Sequence, residues 1–177
     1  MLRIVVPARE LWDEKNEEFL YTKEQSLCLE HSLVSLSKWE ALYHKPFLTK
    51  EEKTTEETID YIRCMTTTQN VDPLIYRFLS NENIKQIENY IEDPMTATIV
   101  PIDNQNKING EQVTAELIYY WMIKLNIPFE CQKWHLNRLL MLIRVCSYKD
   151  QPKKKSSLGQ LRSHFASVNA KRRPKKG

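Results

Sequence analysis

Glycine is scarce in this chain, at three residues in 177, and none of the three sits in the spacing of a phosphate-binding loop. Scarce glycine beside long helical periodicities favours a mainly α protein. No run approaches the ~18–20 apolar residues of a membrane span, so no membrane partner is expected. The opening Met1-Leu2-Arg3-Ile4-Val5-Val6-Pro7 lacks the apolar region and small-residue cleavage site of an export signal. The expected location is therefore cytoplasmic. Four cysteines, Cys28, Cys64, Cys131 and Cys146, include no CxxC pair. Without an export signal they are expected as reduced core thiols, not as disulfides. No internal repeat is found.

What is present suffices for one domain with a tail. Hydrophobic residues make up 41% of the chain, and four Trp, eight Tyr and five Phe supply large surfaces to bury. The net charge of +3 hides a division. From Lys149 onward ten lysines and arginines stand against Asp150 alone, a charge of +9. Residues 1–148 carry sixteen basic and twenty-two acidic side chains, or −6. An acidic body carries a basic tail.

The most apolar stretch, Gln112 to Tyr148, reads as two helices broken at Asn126-Ile127-Pro128, since proline lacks an N–H and restricts the residue before it. In the first helix Val113, Leu117, Tyr120, Trp121 and Met122 are expected along one side, with Ile118, Tyr119 and Leu125 as further apolar positions. In the second, Leu136, Leu139, Leu140, Ile143 and Cys146 follow the spacing of a buried helical face. Met141, Leu142 and Val145 thicken that face until cover on more than one side is expected.

Upstream, Leu2–Val6 reads as a strand, Glu10–Glu18 as a charged solvent loop, and Phe19-Leu20-Tyr21 and Ser26–Glu30 as two further strands. Ser32 is a plausible cap for a helix carrying Leu33, Leu36, Trp39 and Leu42/Tyr43. Thr54 and Glu57 form a capping box ahead of a helix burying Thr58/Ile59, Ile62 and Met65. Asp72-Pro73 starts a short helix with Leu74, Ile75, Phe78 and Leu79. Ser80 or Asn81 caps another, with Ile84, Ile87, Tyr90 and Ile91. Ala97–Val100 is read as a strand leading into the turn residues 103–110, as part of a small hairpin. Gln151–Ser157 reads as a linker, and Leu158–Ala170 as a short amphipathic helix. The fold class is mainly α, within α+β: a compact helical domain over residues 1–148 with a C-terminal αα-hairpin and a few short strands, and a flexible basic tail over 149–177.

Four constellations bear on chemistry. Cys28-x-x-His31 and the pair Cys131/His135 have ligand-like spacings, but structural zinc wants four ligands. Buried thiols and a cap-forming histidine account for them, so no metal or cofactor is expected. The carboxylates Glu51-Glu52 and Glu56-Glu57 sit where a helix start favours negative charge, and no nucleophile motif accompanies them. No catalytic residue is assigned, and the chain is read as not an enzyme. The aromatics Tyr119-Tyr120-Trp121 and Trp134-His135 suit core packing, a stacking platform or part of a partner groove. The basic tail, with Lys153, Lys154, Lys155, Arg162, Lys171, Arg172, Arg173, Lys175 and Lys176, suits phosphates, an acidic protein or the acidic body itself.

Three segments carry a resemblance. Residues 29–48, LEHSLVSLSKWEALYHKPFL, followed by residues 53–66, KTTEETIDYIRCMT, and then residues 118–149, IYYWMIKLNIPFECQKWHLNRLLMLIRVCSYK, resemble a small protein encoded in the tail-gene region of siphophages of Gram-positive hosts. The ending LRSHFASVNAKRRPKKG is similar to the basic endings of phage tail-assembly products. The resemblance implies a tail assembly chaperone that binds the long, helix-rich tape measure protein, keeps it soluble, and is absent from the finished virion. It further implies a second, frameshifted form, for which Lys153-Lys154-Lys155 or Lys175-Lys176 would mark an A-rich slippery run. The residue pattern agrees in kind, as an interaction protein with surplus apolar helix surface. Its expected groove is lined by Leu117, Trp121, Trp134, Leu140 and Ile143, and holds apolar helix faces of the client. Two alternatives stay open: a structural neck or tail component of the virion with a permanent subunit interface, including a homo-oligomer, and a nucleic-acid-binding accessory factor using the tail.

Overall fold

Alternation in the first strand sets the first layer. In β1 (Leu2–Val6) Ile4 and Val6 are buried while Arg3 and Val5 face out, the period of two that a half-buried strand requires. β1 pairs antiparallel with β4 (Gln25–Leu29), setting Leu2 opposite Leu29 and Ile4 opposite Leu27. The apolar positions therefore share one face. Between them lies a second antiparallel pair, β2 (Arg9–Asp13) and β3 (Glu18–Thr22). The structure, a computed structural model, describes residues 1–14, 17–100 and 112–150.

That second pair corrects the reading of Glu10–Glu18 as a solvent loop. Its inward positions are not all apolar, and this hid the strand. Leu20 packs against the sheet's core, but Asp13 is buried as an ion, 2.8 Å from the Arg77 guanidinium. The strand expected at Ala97–Val100 does not form, and Ile99 there is almost wholly exposed. Its turn residues, 103–110, lie outside the described residues.

Helix starts follow their caps. Ser32 accepts from Ser35 N at the start of α1 (Leu33–Tyr43). Thr54 and Glu57 close a reciprocal box on α2 (Thr55–Met65). Asp72 caps a 3-10 turn, Pro73–Phe78, and Ser80 caps α3 (Asn81–Glu92). Each such cap satisfies backbone donors that a helix start leaves open. The buried face of α2 is Glu57, Tyr61, Ile62 and Met65; Ile59 is only partly covered and Thr58 is exposed.

The apolar stretch forms α4 (Ala115–Lys124) and α5 (Leu136–Asp150), separated by a second 3-10 turn, Phe129–Lys133. With glycine scarce, left-handed backbone positions fall to other residues. Asn126 takes φ 52° just after α4, and His44 takes φ 54° as the C-cap of α1. Asparagine tolerates this region better than most side chains. Ala115, Ile118 and Met122 are the buried line of α4. Of the expected line through Val113, Leu117, Tyr120, Trp121 and Met122, only Met122 is on the buried side: Val113, Leu117 and Trp121 are half-buried and Tyr120 is exposed, so the face is rotated. The cover on several sides expected of α5 is seen, since Met141, Leu142 and Val145 are all partly buried.

Two apolar clusters result, and the protein is α+β. One joins the β1–β4 sheet to Trp39, Tyr61, Ile75, Phe78 and Ile87. The other joins Leu33 and Leu36 of α1 to α4 and α5. Helix α1 feeds both, and Phe47 packs against both.

The Glu40 carboxylate fixes this arrangement. It is 8% exposed, and its two oxygens accept from Phe47 N at 2.8 Å and from Ala115 N at 2.7 Å. Replacing Glu40 by Ala strands one buried and one partly buried backbone donor, each worth up to about 1–3 kcal/mol. A loss of roughly 2–4 kcal/mol is expected, read as a fall in Tm of about 4–16 °C. A calorimetric scan of E40A showing no shift would contradict this role.

Candidate interaction surface and buried histidine pair

Tyr120 and Ile123 stand three residues apart on α4, off its buried line of Ala115, Ile118 and Met122, and Tyr119, four residues after Ala115, lies beside that line, partly buried against the second cluster. Tyr120 and Ile123 are more than half exposed, as is Phe129 in the turn that follows. The Phe129 ring lies 6.3 Å from that of Tyr119, and Tyr119 Oη donates to Gln132 Oε1 at 2.9 Å. An aromatic surface held by its own turn thus faces solvent. Burial pushes the Tyr119 phenol up, and Glu116 adds to this, so the hydroxyl stays neutral.

The residues expected to line the groove lie elsewhere. Ile143 is 6% exposed and belongs to the second cluster. Trp121, Trp134 and Leu140 pack against that cluster with part of their surface showing, and Leu117 is half-buried. The Arg138 guanidinium lies 4.4 Å from the Trp134 ring, which covers one side of the indole. Trp121, Trp134, Leu140 and Ile143 thus belong to or pack on the core, and Leu117 stands half-buried outside both clusters. Tyr120 belongs to the aromatic set that the sequence left open between core, stacking platform and partner groove, whereas Ile123 and Phe129 were missed, because a strongly apolar helix gives no sign of which side its neighbours leave open. The basic residues Lys153 to Lys176 lie outside the described residues, as does the helix expected at Leu158–Ala170.

The structure also brings together two histidines that the sequence leaves far apart. His31 follows β4 and His135 precedes α5, yet their rings are 5.0 Å apart and both are buried. Backbone ties hold them: Leu136 N donates to His31 O at 2.7 Å, and Ser32 and His135 form an isolated bridge. His31 Nδ1 lies 2.5 Å from Tyr61 Oη. His135 Nε2 lies 2.9 Å from the Tyr90 carbonyl. A carbonyl only accepts, so His135 carries its proton on Nε2. Its Nδ1 is buried without a partner. Tyr90 Oη in turn donates to Glu30 Oε1 at 2.7 Å, and the Met1 ammonium lies 3.1 Å from the other Glu30 oxygen.

This pair resists protonation. Burial, then the neighbouring His135, lowers His31 from its ordinary 6.5 to about 3. Burial likewise lowers His135, opposed by its bond to Tyr90 and by Glu30 and Asp93. A second proton on His135 would put a donor with no acceptor at the N-terminus of α5, the positive end of a helix.

Among the described residues no three His, Cys, Asp or Glu side chains converge as a metal ion requires. Cys28 and Cys131 do not join their sequence neighbours His31 and His135 in such a group; Cys131 is core, and Cys28, Cys64 and Cys146 are partly buried free thiols. An apolar notch of about 80 Å³ between α2 and α3, lined by Phe47, Tyr61, Ile62, Ile87 and Ile91, is the size of one small side chain. An open hollow of about 410 Å³ lies at the start of α3, beside Arg9, Ser80 and Glu82. Neither is lined by the histidine pair. No helix among the described residues is long and apolar enough to cross a membrane. No family model, curated protein or solved structure matches the chain.

The histidines set a pH dependence. Above pH 6.5 His31 is neutral folded or unfolded and has no effect. Below that, the unfolded chain takes up a proton that the folded one refuses until about pH 3, so stability falls through this window. The His31 contribution alone is about 2 kcal/mol lost by pH 5. Melting curves from pH 7 to 5 are expected to show this fall, and H31Q/H135Q to flatten it; equal slopes in the two chains would exclude the pair as its source.

Proposed function

We propose that this chain is a non-enzymatic interaction protein that holds apolar helix surface of a client. In its particular form it is a siphophage tail assembly chaperone for the tape measure protein. The single observation that supports this is the exposed set Tyr120, Ile123 and Phe129 backed by Tyr119 on one side of α4. An exposed apolar patch on a folded domain marks a site for a partner, and large aromatics carry most of the energy in such contacts. A client helix meets such a surface through apolar anchors three and four residues apart. The helix-rich tape measure protein of the resemblance supplies such anchors along its length. The contact surface in this reading is the outer face of α4 and its turn, with Trp121, Trp134, Leu140 and Ile143 holding that face from beneath.

The reading predicts a clean separation of stability from binding. Y120A/I123A/F129A removes exposed surface, and each such change costs at most about 0.5 kcal/mol. Tm is expected to stay close to that of the parent, while co-expression with the long helical protein encoded beside it no longer yields a soluble complex. W134A is expected to lower Tm. Pull-down at low and high salt separates the alternatives. An apolar complex survives salt, whereas contacts through the basic tail do not. A triple variant that still solubilises its client excludes the α4 face. Recovery of the chain in purified particles favours the structural virion component.

A further inference from the structure

The β2–β3 hairpin carries a second surface, distinct in chemistry from that of α4. Its register sets Glu10 opposite Tyr21 and Trp12 opposite Phe19, all on the side away from Leu20. Trp12, Phe19 and Tyr21 are 47%, 53% and 69% exposed. Trp12 meets Phe19 edge-on at 4.7 Å, and Phe19 lies 6.5 Å from Tyr21. Cross-strand pairing explains why the rings touch. It does not explain why three neighbouring aromatics remain open to solvent. The same hairpin is acidic: between residues 10 and 18 stand Glu10, Asp13, Glu14, Glu17 and Glu18 against Lys15. Asp13 is turned inward, to Arg77, while Glu10, Glu14 and Glu17 are exposed. Aromatic faces carry negative potential and attract cations, arginine above all, and carboxylates around them add to the same field.

We infer that this hairpin face is the docking surface for the chain's own basic end, Lys171 to Lys176. The aromatics Trp12, Phe19 and Tyr21 take the arginine and lysine heads, and Glu10, Glu14 and Glu17 supply the counter-charges. The end has the matching composition: Lys171, Arg172, Arg173, Lys175 and Lys176, with no acidic residue after Asp150. The charge division of the chain, +9 against −6, has the same sense. Reach is no obstacle, since the residues after Asp150 span up to ~90 Å when extended. Tethering then gives the end an effective concentration in the millimolar range at the hairpin, so weak contacts suffice. Docking sequesters the basic end from phosphates and from acidic proteins, and ionic strength or a competing anionic partner frees it. This inference does not rest on the chaperone reading.

The test uses the full chain labelled with 5-fluorotryptophan, observed by fluorine NMR, with the Trp12 signal assigned by W12F. Neutralising the end by K171Q/R172Q/R173Q/K175Q/K176Q is expected to move the Trp12 signal and leave that of the fully buried Trp39 in place. Salt on the order of 0.5 M is expected to move Trp12 of the parent to the same position, because exposed charges are screened at that strength. Coincident Trp12 signals in the parent and the neutralised chain at low salt overturn the inference. A Trp12 signal that moves with protein concentration also overturns it, because the end then comes from another copy. The Trp39 signal reports in each sample that the domain is folded.

Discussion

A buried carboxylate ties the molecule together. Glu40 sits near the end of α1, and its two oxygens hold the backbone of Phe47 and of Ala115. One bond turns the chain back after α1, so that Phe47 stacks on Tyr61 at 3.9 Å and meets Trp39 at 5.0 Å. The other seats the start of α4, seventy-five residues further on. A buried carboxyl group held this way is costly to desolvate and costlier to leave half-satisfied. The same side chain therefore fixes which side of α4 faces inward, and so which aromatics are left outside.

The second tie is the junction of the strand–helix linker with α5. There the main chain of His31 receives Leu136 N, while the His135 ring and Asn137 reach the carbonyls at the end of α3. Three segments distant in sequence meet through backbone groups, and the two rings fill the space between. Because both rings are neutral and buried, the junction is stable at neutral pH and weakens in acid. The two apolar clusters meet along α1 and this linker, so the junction governs how firmly they are held together.

The outward surfaces follow from these ties. Once Ala115, Ile118 and Met122 face α1 and α5, with Tyr119 and Trp121 partly covered beside them, Tyr120 and Ile123 are left outward. Once Asp13 and Leu20 are drawn inward, the strict alternation of a strand sends Trp12, Phe19 and Tyr21 to the other side. In both places an inward anchor determines the exposed chemistry. One surface is apolar and suits a helix; the other is aromatic within an acidic field.

The sequence by itself determined what local physics controls. Caps at Ser32, Thr54, Asp72 and Ser80, the break at Asn126–Pro128, and the strands read at Leu2–Val6 and Ser26–Glu30, the latter seen as Gln25–Leu29, depend on hydrogen bonds and dihedrals within a few residues. All were legible. So was the α+β class, from glycine scarcity and helical spacing. The tertiary structure decided whatever depends on distant partners. Glu10–Glu18 reads as a loop until Arg77 neutralises Asp13, and Ala97–Val100 reads as a strand but finds no partner among the described residues. His31 and His135 read only as members of two separate spacings, with Cys28 and with Cys131, because nothing in either neighbourhood points to the other. The outer face of α4 was the least legible feature: a helix apolar on nearly all sides carries no record of which side is covered until its neighbours are in place.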